Sequence, residues 1–495
     1  MKTVSNPVAA SGGPDFSGNP PPPSAAPAPQ RLAPQARWAL ASLALTMLLS
    51  SLGTSIANVG LPTLAQAFHA SFQHVQWVVL AYLLAITTLI VSVGRLGDLV
   101  GRRRLMLAGV LLFTMASVLC GAAATLGQLI AARAVQGLGA AVMMALTMAF
   151  VGETVPRNKA GSAMGLLGTM SAVGTALGPT LGGALIAAWG WPAMFLVNLP
   201  LGLLALWMLH RHLPADRLAP ASQRPRFDIA GTAVLALVLG TYALAMTTGR
   251  GDFGWRNGAL VLLAAIGLLL FVRVEARAAS PLVRPALFRD PVLRAGFAMS
   301  ALVTTVVMAT LVVGPFYLAG VFGLDAVRVG LVMSGGPIVA ALVGVPAGRA
   351  VDRFGAGRLT LAGLAAMVAG TAALALLPAQ LGVAGYVVPL LVATGGYAVF
   401  QAANNTGVLV DVRADQRGVV SGLLNLSRNL GLVTGASVMG AVFVAGSAAS
   451  DASTMPVLAL TAGMQRTFAV AAALVVMAFA IALSSRTRVQ GTSRA

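Results

Sequence analysis

Fourteen stretches of roughly twenty mostly apolar residues follow one another along this chain, at about 38–59, 75–94, 105–124, 128–150, 162–188, 194–210, 229–248, 258–272, 295–318, 329–347, 359–378, 384–409, 418–445 and 466–484. About twenty residues of helix cross a hydrocarbon layer of about 30 Å, and inside lipid a helix is the element that satisfies its own backbone hydrogen bonds. With 58% hydrophobic and 9% charged residues among 495, the composition exceeds what any soluble domain needs. The predicted fold class is an all-α membrane protein of fourteen transmembrane helices.

The formal charge of +19 would suit a nucleic-acid binder if it formed a patch on a polar domain. Instead two lysines and thirty arginines are spread over the tails, the short inter-span loops and, in two cases, the spans themselves. Assigning loops alternately to two faces leaves Arg250, Arg256, Arg328 and Arg466 on one face and Arg133 and Arg428 within spans, with the other twenty-six basic residues on the opposite face. That bias predicts both termini in the cytoplasm and a multi-pass protein of the plasma membrane, with the lipid bilayer as a partner and nucleic acid excluded. Residues 1–36 are rich in Pro, Ala, Ser and Gly and read as a disordered cytoplasmic tail. The single cysteine, Cys120, excludes a disulfide framework or thiol metal site; no metal or cofactor is expected.

A repeat divides the chain. Gly94-Arg-Leu-Gly-Asp98-Leu-Val-Gly101-Arg102 returns 254 residues later as Gly348-Arg-Ala-Val-Asp352-Arg-Phe-Gly355, each time in a basic break after an apolar run. If each copy closes the second helix of a six-helix unit, residues 37–212 form one half and 291–485 the other, with 213–290 a linker and two inserted helices, and 486–495 a cytoplasmic tail. Internal repeats of this kind are a common construction of secondary transporters.

The motifs carry a resemblance. The repeat segment, Arg133-Ala-Val-Gln-Gly137 in span 4, Gly174-Thr-Ala-Leu-Gly178-Pro179-Thr-Leu-Gly182-Gly183 in span 5 and Phe195-Leu-Val-Asn198-Leu-Pro200 at the entry into span 6 together resemble the major facilitator superfamily, specifically its fourteen-span drug:proton antiporters. The resemblance implies a major facilitator fold, a small-molecule substrate, multidrug or antibiotic efflux, and proton coupling. It implies that Gly94, Asp98, Gly101, Arg102 and Asp352 form a conformational latch, the other reading of these residues being a solvated turn that only orients the protein. It also implies an antiporter-type seam at Gly174, Gly178, Pro179, Gly182 and Gly183, which spacing alone reads as either a sliding or a static packing face. The family's acidic residue in span 1 is Gly53 here; Pro192 and Ala319 replace a family arginine and glutamine.

That first departure is general. None of the thirteen acids lies mid-span: Asp228, Asp290 and Glu275 are expected in loops, and Glu153, Asp325 and Asp411 at span ends. Proton coupling would then use Glu153, Asp98, Asp325 or Asp411. Arg133, buried in span 4, either draws an anionic or polarised substrate or is satisfied by Gln136 and backbone carbonyls. Asn58, Tyr82, Arg133, Gln136, Asn198, Gln401, Asn404 and Asn405 are the candidate substrate and ion pathway. The function these readings converge on is alternating-access export of small amphiphilic compounds by a monomer, with a facilitator or importer as the alternative. No Walker sequence, catalytic constellation or metal cluster points to an enzyme.

Overall fold

The computed structural model describes residues 34–90, 92–154, 160–216, 228–248, 254–277, 290–376, 378–410, 412, 417–447 and 457–492. Its long helices are α1 (Pro34–Ala67), α2 (Phe72–Ile90), α4 (Arg102–Gly121), α5 (Leu126–Thr154), α6 (Ala160–Trp189), α9 (Ile229–Thr247), α10 (Trp255–Arg277), α11 (Pro291–Phe322), α12 (Ala326–Phe354), α13 (Ala356–Leu376), α14 (Gly382–Leu409) and α17 (Val457–Thr492). Short α7 (Ala193–Leu196) and α8 (Asn198–His212) make one span together. So do α15 (Arg417–Thr434), a π-helical turn at Gly435–Met439 and α16 (Gly440–Ser447). Fourteen helices are long and apolar enough to cross a membrane, and no strand occurs among the described residues.

The first repeat segment departs from the expected loop. It forms a further short helix, α3 (Val93–Val100), so Gly94 is helical and the turn rests on Gly101. Gly101 adopts φ +106°, and Gly355 at the matching position adopts φ +85°; both values favour glycine. Each donates its backbone N–H 2.8 Å to the carbonyl four residues earlier, on Gly97 and Val351 respectively. The sequence repeat is therefore also a repeat of backbone geometry.

Helix starts explain acids that were expected in loops or at span ends. Asp228 accepts from Gly231 N at 2.7 Å, Asp290 from Val292 N at 2.8 Å and Asp325 from Arg328 N at 2.8 Å, so these are N-caps that satisfy donors at the starts of α9, α11 and α12. Glu275 is no loop residue: α10 runs past the expected end, and the carboxylate lies buried in its last turns. Arg466 likewise falls inside α17, where Nη1 donates 3.1 Å to Gly446 O. The same helix continues through the stretch expected as a tail after residue 485. Asp411, the Glu153 side chain and residues 1–33 lie outside the described residues.

Packing repeats along with the sequence. In the first group α1 lies on α6 and α8, α2 on α5, and α4 on α5 and α8; in the second, α11 lies on α15 and α17, α12 on α14, and α13 on α14 and α17. Close approach at matching places makes this possible. A Cβ on Gly139 would lie 2.7 Å from Gly109 O, and one on Gly396 2.7 Å from Gly363 O. The groups touch through α6 with α12, α1 with α11, and α2 with α15, the π turn and α16. Helices α9 and α10 pack together, and α9 lies along α2 and the π turn. There Trp77 Nε1 donates 3.1 Å to Thr247 Oγ1, and the Ser92 and Thr232 hydroxyls lie 2.9 Å apart.

Candidate functional site

Arg133 enters from α5 and is completely buried. Its Nε donates 3.0 Å to Val78 O, and Nη1 donates 3.1 Å to Gly53 O and 2.5 Å to Gln136 Oε1. The guanidinium carbon lies 4.0 Å from the centre of the Tyr82 ring, a cation–π contact that helps offset the cost of a charge within a membrane span. Tyr82 Oη donates 3.0 Å to Ser50 O, and Gln136 Nε2 donates 2.6 Å to Ser117 Oγ. Residues from α1, α2, α4 and α5 thus meet in one network. The glycine at position 53 takes part through its carbonyl. A Cβ there would stand 3.0 Å from Phe113 Cζ and 3.2 Å from Tyr82 Oη.

Two predicted pathway residues lie apart from this network. Asn58 and Asn198 are buried; their Nδ2 atoms donate 3.1 Å to Thr54 O and Phe195 O, respectively, and their Oδ1 atoms have no hydrogen-bond partner. The other three lie in the second group. Gln401, Asn404 and Asn405 on α14 line a cleft with Ser300 of α11 and Arg428 of α15. With its oxygen turned to the guanidinium, the Gln401 amide accepts from Arg428 Nη1 at 3.0 Å and Nη2 at 2.9 Å. Asn404 Nδ2 donates 3.2 Å to Gly296 O. From sequence Arg428 reads as either snorkelling toward the interface or lining the cavity; its signal is a lone arginine well inside an apolar window.

The glycine row of α6 has two neighbours. Gly174, Gly178 and Gly182 face α1: a Cβ on Gly174 would meet Leu48 O at 2.5 Å, one on Gly178 Ile56 N at 2.9 Å, and one on Gly182 Ile56 Cγ1 at 2.9 Å. This row therefore packs within the first group rather than between groups. Contact with the second group falls one register over. A Cβ on Gly183 would clash with Ala326 O, and one on Gly330 with Pro179 O, while the hydroxyls of Thr180 and Ser334 are directly hydrogen-bonded. These contacts lie at the arginine-poor face. Beside them, Phe72 packs against Phe316 and Phe443, with ring centres 4.7 and 5.4 Å apart.

At the arginine-rich face the repeat acids differ. Arg102 Nη2 and Nε donate to Asp98 Oδ1 at 2.9 and 3.1 Å, one helical turn apart in sequence, and both side chains are partly exposed. Asp352 is exposed, with no ion pair among the described residues. The carboxylate that sequence reasoning missed is Asp216, beyond α8. It accepts from the backbone N–H of Arg103 at 2.7 Å and of Arg104 at 3.2 Å, and so holds the N-terminus of α4. Its distance of 113 residues from that helix left no local pattern to find.

The paired packing, fourteen spans and repeated glycine turns define a family. The model of the Major Facilitator Superfamily matches residues 43–436. The chain belongs to the Major Facilitator Superfamily. It is a multi-pass membrane transporter with the alternating-access fold. It is 31% identical to the riboflavin transporter RibZ of Clostridioides difficile over 82% of this chain and 88% of that one. It is 32% identical to the multidrug resistance protein Stp of Mycobacterium tuberculosis over 79% and 72%. Among solved structures, a bacterial homolog of the human lysosomal transporter Spinster superposes with TM-score 0.65 at 16% identity, covering 93% of this chain and 99% of the other.

Proposed function

We propose that this superfamily member exports small amphiphilic compounds across the plasma membrane by rocking of residues 37–212 against 291–485, with both termini in the cytoplasm, energy drawn from an ion gradient, and the monomer as the working unit. Helices α9 and α10, within 213–290, are the inserted pair. The observation that carries the reading is the repeated packing of the two groups, joined by hydrogen-bonded and close glycine contacts at the arginine-poor face. With that face outward, as the arginine bias requires, this is a state closed to the outside.

Asp98 is then the latch group in its released form, held by its own Arg102. Closure of the arginine-rich ends would exchange that local partner for one on the other half. Arg133, enclosed by carbonyls, an amide and an aromatic ring, serves as the rigid centre of its half, and the direct route for substrate runs past Gln401, Asn404 and Asn405. Similarity to a multidrug resistance protein and to a riboflavin transporter supports small aromatic or amphiphilic cargo.

The test uses a pump-deficient bacterial cell expressing the chain, challenged with toxic cationic, neutral and anionic amphiphiles, with reporter fusions at each terminus. Lower accumulation of at least one class, lost when the gradient is dissipated, is the expected outcome. Accumulation equal to that of empty cells for every class would remove the export reading, and accumulation above it would favour import. A terminus reporting from outside would reverse the orientation.

A further inference from the structure

We propose that the cleft between α11, α14 and α15 binds an anionic oxygen group on the transported compound, a carboxylate in the first instance, and that Arg428 is its charged anchor. The proposal rests on the export reading above and extends it to a substrate class.

Arg428 lies six residues into the apolar window that begins at Gly422, about 9 Å along a helix at 1.5 Å per residue. An arginine at that depth is costly unless it meets a partner. The partner it has is neutral: the Gln401 amide oxygen takes one N–H from each terminal nitrogen, at 3.0 and 2.9 Å. No carboxylate pairs with Arg428, and no further side chain accepts from it, among the described residues. A guanidinium has five N–H donors in a planar fork. Two are engaged by a single weak acceptor, in the geometry that a carboxylate would fill with two oxygens and full charge.

The surroundings favour an acceptor ligand. Asn405 and Tyr397 border the cleft with groups that can donate, while Asn404 is committed to Gly296 O and fixes the wall. Arg133, in another span, sharpens the contrast. Arg133 is fully buried and bonded to three acceptors inside its own half, with Nη2 left without a partner, whereas Arg428 is only partly buried and lines a narrow cleft. A substrate carboxylate would displace the amide oxygen of Gln401 and gain a charge-assisted pair. A permanent cation would meet an unneutralised guanidinium and no described carboxylate.

The experiment uses the full-length protein reconstituted in vesicles and three matched probes: 2-naphthoate, its methyl ester, and 2-naphthyltrimethylammonium. Wild type is expected to move the carboxylate and the ester. Arg428→Gln should weaken apparent affinity for the carboxylate by about tenfold or more, as loss of a charged hydrogen-bond pair does, with the ester changed less than about twofold; Arg428→Lys should recover part of the loss. Gln401→Leu, which removes the acceptor that competes with the ligand and keeps the charge, should raise carboxylate affinity relative to the ester, and a fall there would overturn the proposal even if Arg428→Gln does not fold. Equal losses for carboxylate and ester would also overturn it, making Arg428 structural. A carboxylate effect confined to vesicles containing phosphatidylglycerol, and missing from phosphatidylcholine alone, would assign the arginine to a lipid head group instead. Failure of wild type to move any of the three would strike the export reading itself, while ester and carboxylate transport indifferent to Arg428→Gln would remove only this subsite.

Discussion

At Arg133 a single guanidinium organises four helices, because its donors reach Val78 O on α2, Gly53 O on α1 and Gln136 on α5, and Gln136 in turn reaches Ser117 on α4. Arg133→Met would remove the charged donor that ties three helices together; Val78 O and Gly53 O keep their intrahelical partners, so the group left buried and short of a donor is Gln136 Oε1, at about 1–3 kcal/mol. The expected result is a melting temperature of the detergent-solubilised protein lower by about 1–3 °C, followed by intrinsic fluorescence or light scattering. Gly53→Ala adds only a methyl at the edge of Phe113 and should cost less. If Arg133→Met melts with the wild type, the arginine does not hold its half together. Its sequence context announced a charge that needed a partner, and the two alternatives were a ligand or local acceptors. What sequence could not supply was the choice, since Gly53 and Val78 contribute backbone carbonyls, which any residue type possesses. Asp216 makes the same point in reverse. Its role depends on a chain path across more than a hundred residues, and Asp216→Asn should weaken the cap on α4 while leaving transport direction unchanged, read as a modest fall in melting temperature.

Among the elements, α6 separates two functions that one glycine-rich stretch had merged. Its Gly174, Gly178 and Gly182 row admits α1, and its Pro179, Thr180 and Gly183 side meets α12. Substitutions on the two sides should therefore differ in kind. Gly178→Leu drives a side chain into Ser55 and the α1 backbone, and the expected outcome is low yield and a lowered melting temperature. Gly183→Leu pushes α6 away from Ala326 without touching α1; here the fold should survive while a cysteine placed at Ser334 becomes more reactive toward a membrane-impermeant maleimide. If both variants lose stability equally, the division into a packing side and a moving side is wrong. Spans were legible from the sequence because lipid demands long apolar helices whatever their neighbours, and the repeat was legible because Gly101 and Gly355 need a φ that glycine tolerates. The neighbour of each face was not, since small residues permit close approach without naming the helix that approaches. Helix ends were missed where a charged residue lies inside the last or first turns, as with Glu275 and Arg466.

For the whole molecule, the two groups share one packing plan and meet where the chain is poorest in arginine. Alternating access then requires that contact to break and re-form once per cycle, and the hydrogen-bonded pair Thr180 and Ser334 marks a place to stop it. The chain is suited to the test because its one native cysteine, Cys120, is fully buried and contributes little background. In the variant Thr180→Cys with Ser334→Cys, oxidation should join α6 to α12 across the two halves. A protease site inserted between residues 217 and 227 would report the cross-link, because cleaved chains stay together on a denaturing gel only when the bridge has formed. Transport should stop on oxidation and return with a reductant, while each single variant continues to work under both conditions. Because the bridge would hold the molecule in the conformation described above, a substrate that binds from the arginine-rich side should still bind to the oxidised protein even though it cannot be released on the other. Binding without turnover is the outcome that rocking requires. Unimpaired turnover with a fully formed bridge would mean that the arginine-poor ends never separate, and the two halves would then have to work by some motion other than alternation about this contact.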